Sequence, residues 1–274
     1  MTVKNQHVVP RSYLKNFANA RGKVFTYNFC SKLYEEKDIN DVCSHRYTYE
    51  VSKNMIDNRL ENEIAKLEDE YLPYIHLILN KFQNGKLKRS DVNHEILFKY
   101  MCLQYIRTDS GRVLRKRAEE DCEPMDHHMS IDEIRERDRY RREFNQTFKI
   151  EGALQRELDI QFLIHRCTVR IGVTKNQKFL TSDNPVFTLY LSETDKTVVK
   201  MVMPISPNVC IYCFYGDRHR LHQDEQEIFP FIVSDQLAMN YNQALINVSN
   251  YWIISQIPFN PITKWQIACR KTCN

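Results

Sequence analysis

Glycine is scarce in this chain, at 6 of 274 residues, and proline is modest at 9. So little glycine argues against phosphate-cradling Gly-rich loops and long flexible linkers. The sequence contains no Gly-x-x-x-x-Gly-Lys-Ser/Thr loop, no Gly-x-Gly-x-x-Gly fingerprint, no His-Glu-x-x-His and no Gly-x-Ser-x-Gly elbow, which removes the simplest nucleotide-binding and hydrolase readings. No apolar run approaches the roughly 18–20 residues of a membrane span. The first residues, MTVKNQHVVPRSYLKNF, lack the apolar centre of a signal peptide, so a cytoplasmic location is expected. Internal repeats and low-complexity tracts are missing too.

What remains is ordinary globular material. Hydrophobic residues make up 42% and charged residues 27%, enough to bury a core without a metal or a disulfide framework. Nine cysteines, an odd number in a reducing compartment, read as thiols, with Cys102 and Cys167 packed as small apolar groups on helices. The net charge of +4 permits a phosphate-bearing partner without arguing for one.

Periodicity organises the chain into strands, helices, then strands. Residues 22–29 carry aromatic and β-branched side chains after a Gly and read as a strand, with 47–50 a weaker candidate. Ile56, Leu60, Ile64, Leu67, Tyr71, Ile75 and Ile78 recur at helical spacing, with Pro73 expected to kink the helix. Ser90 can cap a second helix carrying Ile96, Tyr100, Leu103 and Arg107, which Gly111 breaks. Ser130 and Glu133 form a capping box for a third. Its Arg135, Arg137, Arg139, Arg141 and Arg142 are balanced by Asp132, Glu133, Glu136, Asp138 and Glu143, as on a solvated, ion-paired face. From residue 168 the period falls towards two: 168–173, 178–182, 186–191, 197–204 and 209–215 read as strands, 234–247 as a helix and 251–256 as a last strand. The expected architecture is α+β: a mainly antiparallel sheet built from the N-terminal and C-terminal segments, with a central helical layer or lobe. Residues 1–274 form a single domain on this reading, with 53–168 helical and 1–52 and 169–274 strand-rich.

Three polar clusters could carry chemistry. In the first, His7 can move protons near neutral pH, Pro10 stiffens the chain, and Arg11 offers a forked cation for a phosphate or carboxylate. The same residues also read as a rigid turn followed by a helix whose Tyr13, Leu14 and Phe17 pack inward. In the second, Thr181-Ser182-Asp183-Asn184-Pro185 ends an apolar strand. It presents its side chains from a strand tip or folds them onto its own backbone. In the third, Gln104 and Arg107 share a helix face near its C-terminus, where Arg107 complements the dipole or reaches an anion such as Asp183. Cys210, Cys213, His219 and His222 offer zinc-type ligands, with Asp217 beside them, but cysteines three apart in a strand face opposite ways and a zinc site is not expected there.

Taken in order, these residues resemble the bacterial and phage domain of unknown function 4238 family. The resemblance rests on His-x-x-Pro-x-x-Tyr-Leu-x-x-Phe (His7, Pro10, Tyr13, Leu14, Phe17), Gly22-Lys23-Val24-Phe25, the Tyr-containing run Arg46 to Glu50, Gln104-x-x-Arg107, Thr-Ser-Asp-Asn-Pro from Thr181, and Pro204-Ile205-Ser206-Pro207. Many members carry paired aromatic or His residues around the first His, whereas Gln6 precedes it here. The resemblance implies that His7 and the Asp183 segment matter and names no activity.

The function these residues suggest is hydrolysis of a phosphate ester, nuclease-like, with a nucleic acid or nucleotide as partner. His7 would be the acid or base, and Asp183 would orient it or hold a divalent metal. Arg11 and Arg107 would hold the anion, with Tyr13, Gln104, Ser182 and Asn184 completing the binding set. His7, Arg107 and Asp183 are then expected in one pocket. The alternative is a non-catalytic ligand-sensing or protein-interaction module of a phage-defence or toxin system.

Overall fold

The computed structural model describes residues 5–52, 56–114, 131–165, 168–190, 199–214 and 229–270. A short ribbon opens it: β1 (Asn5–His7) pairs antiparallel with β4 (Ser44–Arg46), His7 opposite Ser44. Between them lie α1 (Arg11–Leu14), β2 (Lys23–Asn28) and β3 (Leu33–Asp38). Residues 47–50, a weaker strand candidate, form a turn instead, with Tyr47 at φ 60°.

The helices follow. α2 (Arg59–Gln83) buries the expected stripe of Leu60, Ile64, Leu67, Tyr71, Ile75 and Ile78 and runs unbroken through Pro73. α3 (His94–Ile106) is capped by Asn93, whose side chain accepts from the Ile96 N–H at 3.1 Å, rather than by Ser90. Leu97, Phe98, Met101, Cys102 and Leu103 of α3 are all buried. Apolar residues all round suit its position, because it packs against α2, α5 (Ala153–His165) and β5 (Thr168–Val173). α4 (Ile131–Phe148) lies between α3 and α5 in the chain; Ser130, its expected cap, falls outside the described residues. Among the described residues no helix is long and apolar enough to cross a membrane.

The remaining strands are β6 (Thr181–Ser182), β7 (Phe187–Tyr190), β8 (Val199–Ser206), β9 (Val209–Phe214), β10 (Phe231–Ile232) and β11 (Trp252–Ser255). They build two sheets. One has the order β10-β5-β9-β8-β7, antiparallel except for β10 against β5. The other, β3-β2-β11-β6, joins the two ends of the chain: Ile254 lies opposite both Thr26 and Thr181. α6 (Asp235–Val248), capped by Ser234, and α7 (Pro261–Ala268) complete the fold.

Strand alternation splits the interior into two cores. Val169, Ile171, Met201, Met203, Ile211 and Cys213 pack with the α2–α3 side chains. Val202, Cys210 and Tyr212 face the other way, towards Leu245 and Tyr241 of α6. Cys210 and Cys213 therefore lie in different cores, as their spacing requires. Cys102 is buried on α3; Cys167 lies outside the described residues, as do Asp217, His219 and His222.

Gly111 sits where α3 has ended, in a π-turn from Ser110 to Leu114. A Cβ there would come within 2.4 Å of the Ile106 Cα and 2.5 Å of the Tyr105 carbonyl oxygen. Both are backbone atoms and cannot swing aside. Gly111→Ala is expected to cost about 1–3 kcal/mol, the usual scale of forced overpacking, read as a lower urea midpoint at unchanged slope.

Candidate functional site

β1 delivers His7 into place. Gln6, buried beside it, accepts from the Tyr49 N–H at 2.8 Å and donates to Glu50 at 3.3 Å. The His7 carbonyl accepts from the Tyr49 hydroxyl at 3.1 Å and from Arg107 Nη2 at 2.5 Å. Pro10, at φ −60° and ψ 140°, then turns the chain into α1.

His7 lines a cleft of ≈ 600 Å³ together with Arg11, Lys15, Glu61, Glu68 and Arg107. Its Nε2 is enclosed and has no hydrogen-bond partner. Burial first, then Arg11 and Arg107, hold the imidazole down to about 4, against a smaller upward pull from the Asn40 backbone. It is therefore neutral at pH 7, an acceptor for a proton. Glu61 moves the opposite way: burial raises its carboxyl above the ordinary value, against Gln6 and Arg107. Its Oε2 is enclosed and unpartnered as well. A neutral base and a carboxyl raised above its ordinary value thus share one cleft, as in acid–base pairs set by environment.

The two arginines differ. Arg107 is buried and committed: Nε donates to the Tyr49 hydroxyl at 2.9 Å, Nη1 pairs with Glu68, and Nη2 reaches the His7 carbonyl. It fixes His7 and contributes charge. Arg11 is exposed, with Nη1 donating to Asn40 at 3.0 Å, and is free to turn towards an anion.

The second cluster lies elsewhere. Asp183 and Asn184 line a separate pocket of ≈ 10 Å³ with Val8, His45, Asp109, Arg141 and Tyr251. Asp183 accepts from the backbone N–H groups of Asn250, Tyr251 and Trp252 at 3.0–3.3 Å. Burial lifts its carboxyl to about 6 against the pull of these donors, with Asp109 adding to the lift. Both oxygens are engaged and the space is that of one water, a poor fit for a divalent metal. Among the described residues no three His, Cys, Asp or Glu side chains are placed to hold a metal ion. His7 and Arg107 line one cleft, and Asp183 lines the smaller pocket beside Val8. Asp183 organises the start of β11.

The remaining expected binding residues are also internal fasteners. The Tyr13 hydroxyl, fully buried, bonds Thr181 Oγ1 at 2.7 Å and donates to the Pro204 carbonyl at 2.5 Å, tying α1 to both sheets. Gln104 donates to Glu68 at 3.1 Å. Ser182 closes a turn on the Asn184 backbone. The Asn184 side chain accepts from the Ser110 N–H at 3.3 Å and donates to the Val248 carbonyl at 2.7 Å. Short polar side chains after an apolar strand satisfied buried backbone rather than meeting solvent.

Glu61 and Glu68 escaped the sequence reading. Their signal was position: with Ile64 they fall at i, i+3 and i+7 on α2, so two acids flank the apolar stripe where solvated charge is not expected.

No curated protein and no solved structure matches the chain. The family model described as "Protein of unknown function (DUF4238)" matches residues 5–258 of 274, nearly the full length, and the chain belongs to that family.

Proposed function

We propose that this protein is a nuclease-like phosphate-ester hydrolase whose working site is the His7 cleft, with a nucleic acid or nucleotide as substrate. The observation that carries the reading is the enclosed, unpartnered His7 Nε2, held neutral beside Arg11. A buried ring nitrogen without a partner is costly unless a ligand or water uses it. In the proposed reaction His7 Nε2 takes a proton from water as the water oxygen attacks phosphorus. Glu61 gives its proton to the departing ester oxygen as the P–O bond breaks. Arg11 binds a non-bridging oxygen, and proton exchange with solvent restores both groups. Arg107 holds the His7 backbone and lowers the imidazole pKa until the anionic substrate arrives.

The test is cleavage of bis-p-nitrophenyl phosphate and of pooled DNA and RNA, with and without Mg²⁺ or Mn²⁺. Arg11→Ala is expected to raise KM about tenfold, the worth of one charge-assisted contact, and to change kcat less. A pure, folded wild-type protein that cleaves none of these substrates would leave the non-catalytic sensor or interaction module as the better reading.

A further inference from the structure

A second cleft, of ≈ 700 Å³, shares no lining residue with the His7 cleft, and its lining includes Arg46, Ser52, Arg112, Arg141, Arg142 and Asn145. Its floor is unusual. The Arg112 side chain is 0% exposed. One of its nitrogens, Nη1, donates to the Thr48 carbonyl at 3.2 Å; Nε and Nη2 have no acceptor. The nearest carboxylate oxygen, on Asp109, is 3.6 Å from Nη2. That carboxylate is already taken by Arg141 through Nε at 2.8 Å and through Nη2, and by Asn250 at 3.2 Å. Arg137 adds a third guanidinium to the field on Asp109. Burial pushes Arg112 down to about 10, with Asp109 opposing and Arg141 adding to the fall. Positive charge is in excess inside the protein, where solvent screens it least.

The acids on the cleft wall do not restore the balance. Glu50 is paired with Lys149 at 2.9 Å, and Asp138, half-exposed, lies 3.5 Å from Arg141. Arg46 and Arg142 stand exposed at the rim. The Asn145 amide donates to the Thr48 and Glu50 carbonyls, each at 3.0 Å, which leaves its enclosed Oδ1 without a partner.

We infer that this cleft binds a phosphate-bearing small molecule of nucleotide size, its phosphates held between the Arg46–Arg142 rim and the Arg112–Arg141 floor. Two-oxygen anions suit paired guanidiniums, and the volume falls within the range of small-molecule sites. The site is separate from the His7 cleft and does not rest on the hydrolase reading.

Calorimetric titration of the full chain with inorganic pyrophosphate and with adenosine diphosphate tests it. At least one is expected to bind with one site supplied by this cleft, more weakly as salt rises. The double variant Arg46→Ala, Arg142→Ala should weaken that binding about tenfold or more. Its unliganded melting temperature shows whether it folds. Arg11→Ala, in the other cleft, should leave the part of the binding that depends on Arg46 and Arg142 unchanged. Binding by neither probe would overturn the inference. So would a rim variant that binds undiminished, or binding lost in Arg11→Ala alone, which would place the anion beside His7.

Discussion

Asp109→Ala is expected to lower the unfolding free energy by about 3–5 kcal/mol, the scale for leaving buried charge uncompensated. Against a typical total of about 5–15 kcal/mol, such a loss endangers folding at physiological temperature. The reason is specific. The Asp109 carboxylate, 8% exposed, takes two bonds from Arg141 and lies beside Arg112. Burial alone would raise its carboxyl, but Arg141, then Arg112 and Arg137, overcome this and hold it well below the usual carboxylate range. Removing it takes from Arg141 and Arg112 the buried carboxylate they share. The sign of the pH dependence follows. A carboxyl with a depressed folded pKa stabilises above its unfolded value, near 3.8, and that stabilisation is lost as the pH falls further. The gap between wild type and Asp109→Ala in urea titrations should therefore be widest at neutral pH and should shrink on acidification below about 4.

His7→Ala should lower kcat by about 10²–10⁴, the usual worth of a positioned base. Its folding should change little, because the imidazole is only half-buried, Nε2 makes no hydrogen bond, and the ring's contact with the Asn40 backbone is one bond of about 1 kcal/mol. The anchors of β1 are backbone and Gln6 contacts, which the substitution leaves in place. Far-UV circular dichroism and the urea midpoint should stay near wild type while turnover collapses. A protein that keeps full activity or full biological effect without the imidazole has no use for it as a base.

Much of the architecture was legible because it is locally written. The stripe of α2, the β5 to β9 strands and the helix α6 all follow from spacing and residue type within a few positions. The return of β2 to the C-terminal sheet was readable from strand order. β3 was not, and its burial explains why: of Leu33–Asp38 no residue is buried, so no alternation marks it. Its ladder to β2 holds it, with Glu36 bonded to Asn19 and Arg21 and the Tyr34 ring against Phe259.

The site was legible in part, and for the opposite reason. His7, Arg11 and Arg107 carry chemistry in their residue types. Their partners depend on contacts distant in sequence. α4 shows the limit. Its charges cancel along the chain, and Arg135 and Arg139 do pair with Asp132, Glu136 and Glu143 on the outer face. Arg141 instead turns inward to Asp109, and Arg137 to the Tyr251 hydroxyl at 2.5 Å. Balanced composition cannot say which charges face the core. The backbone N–H groups of Asn250, Tyr251 and Trp252 that Asp183 accepts from are equally invisible in the sequence, being 67–69 residues away.

The pH dependence of phosphodiester cleavage tests the central claim most directly. In the free protein the acid limb of kcat/KM should fall at the His7 pKa, about 4. Once a phosphate anion sits beside the ring it favours the protonated form, so the acid limb of kcat should lie at higher pH than that of kcat/KM. Both limbs should vanish in what activity His7→Gln retains. Limbs that coincide near 6.5, or that persist unchanged in His7→Gln, would contradict a buried, neutral His7 acting as the base.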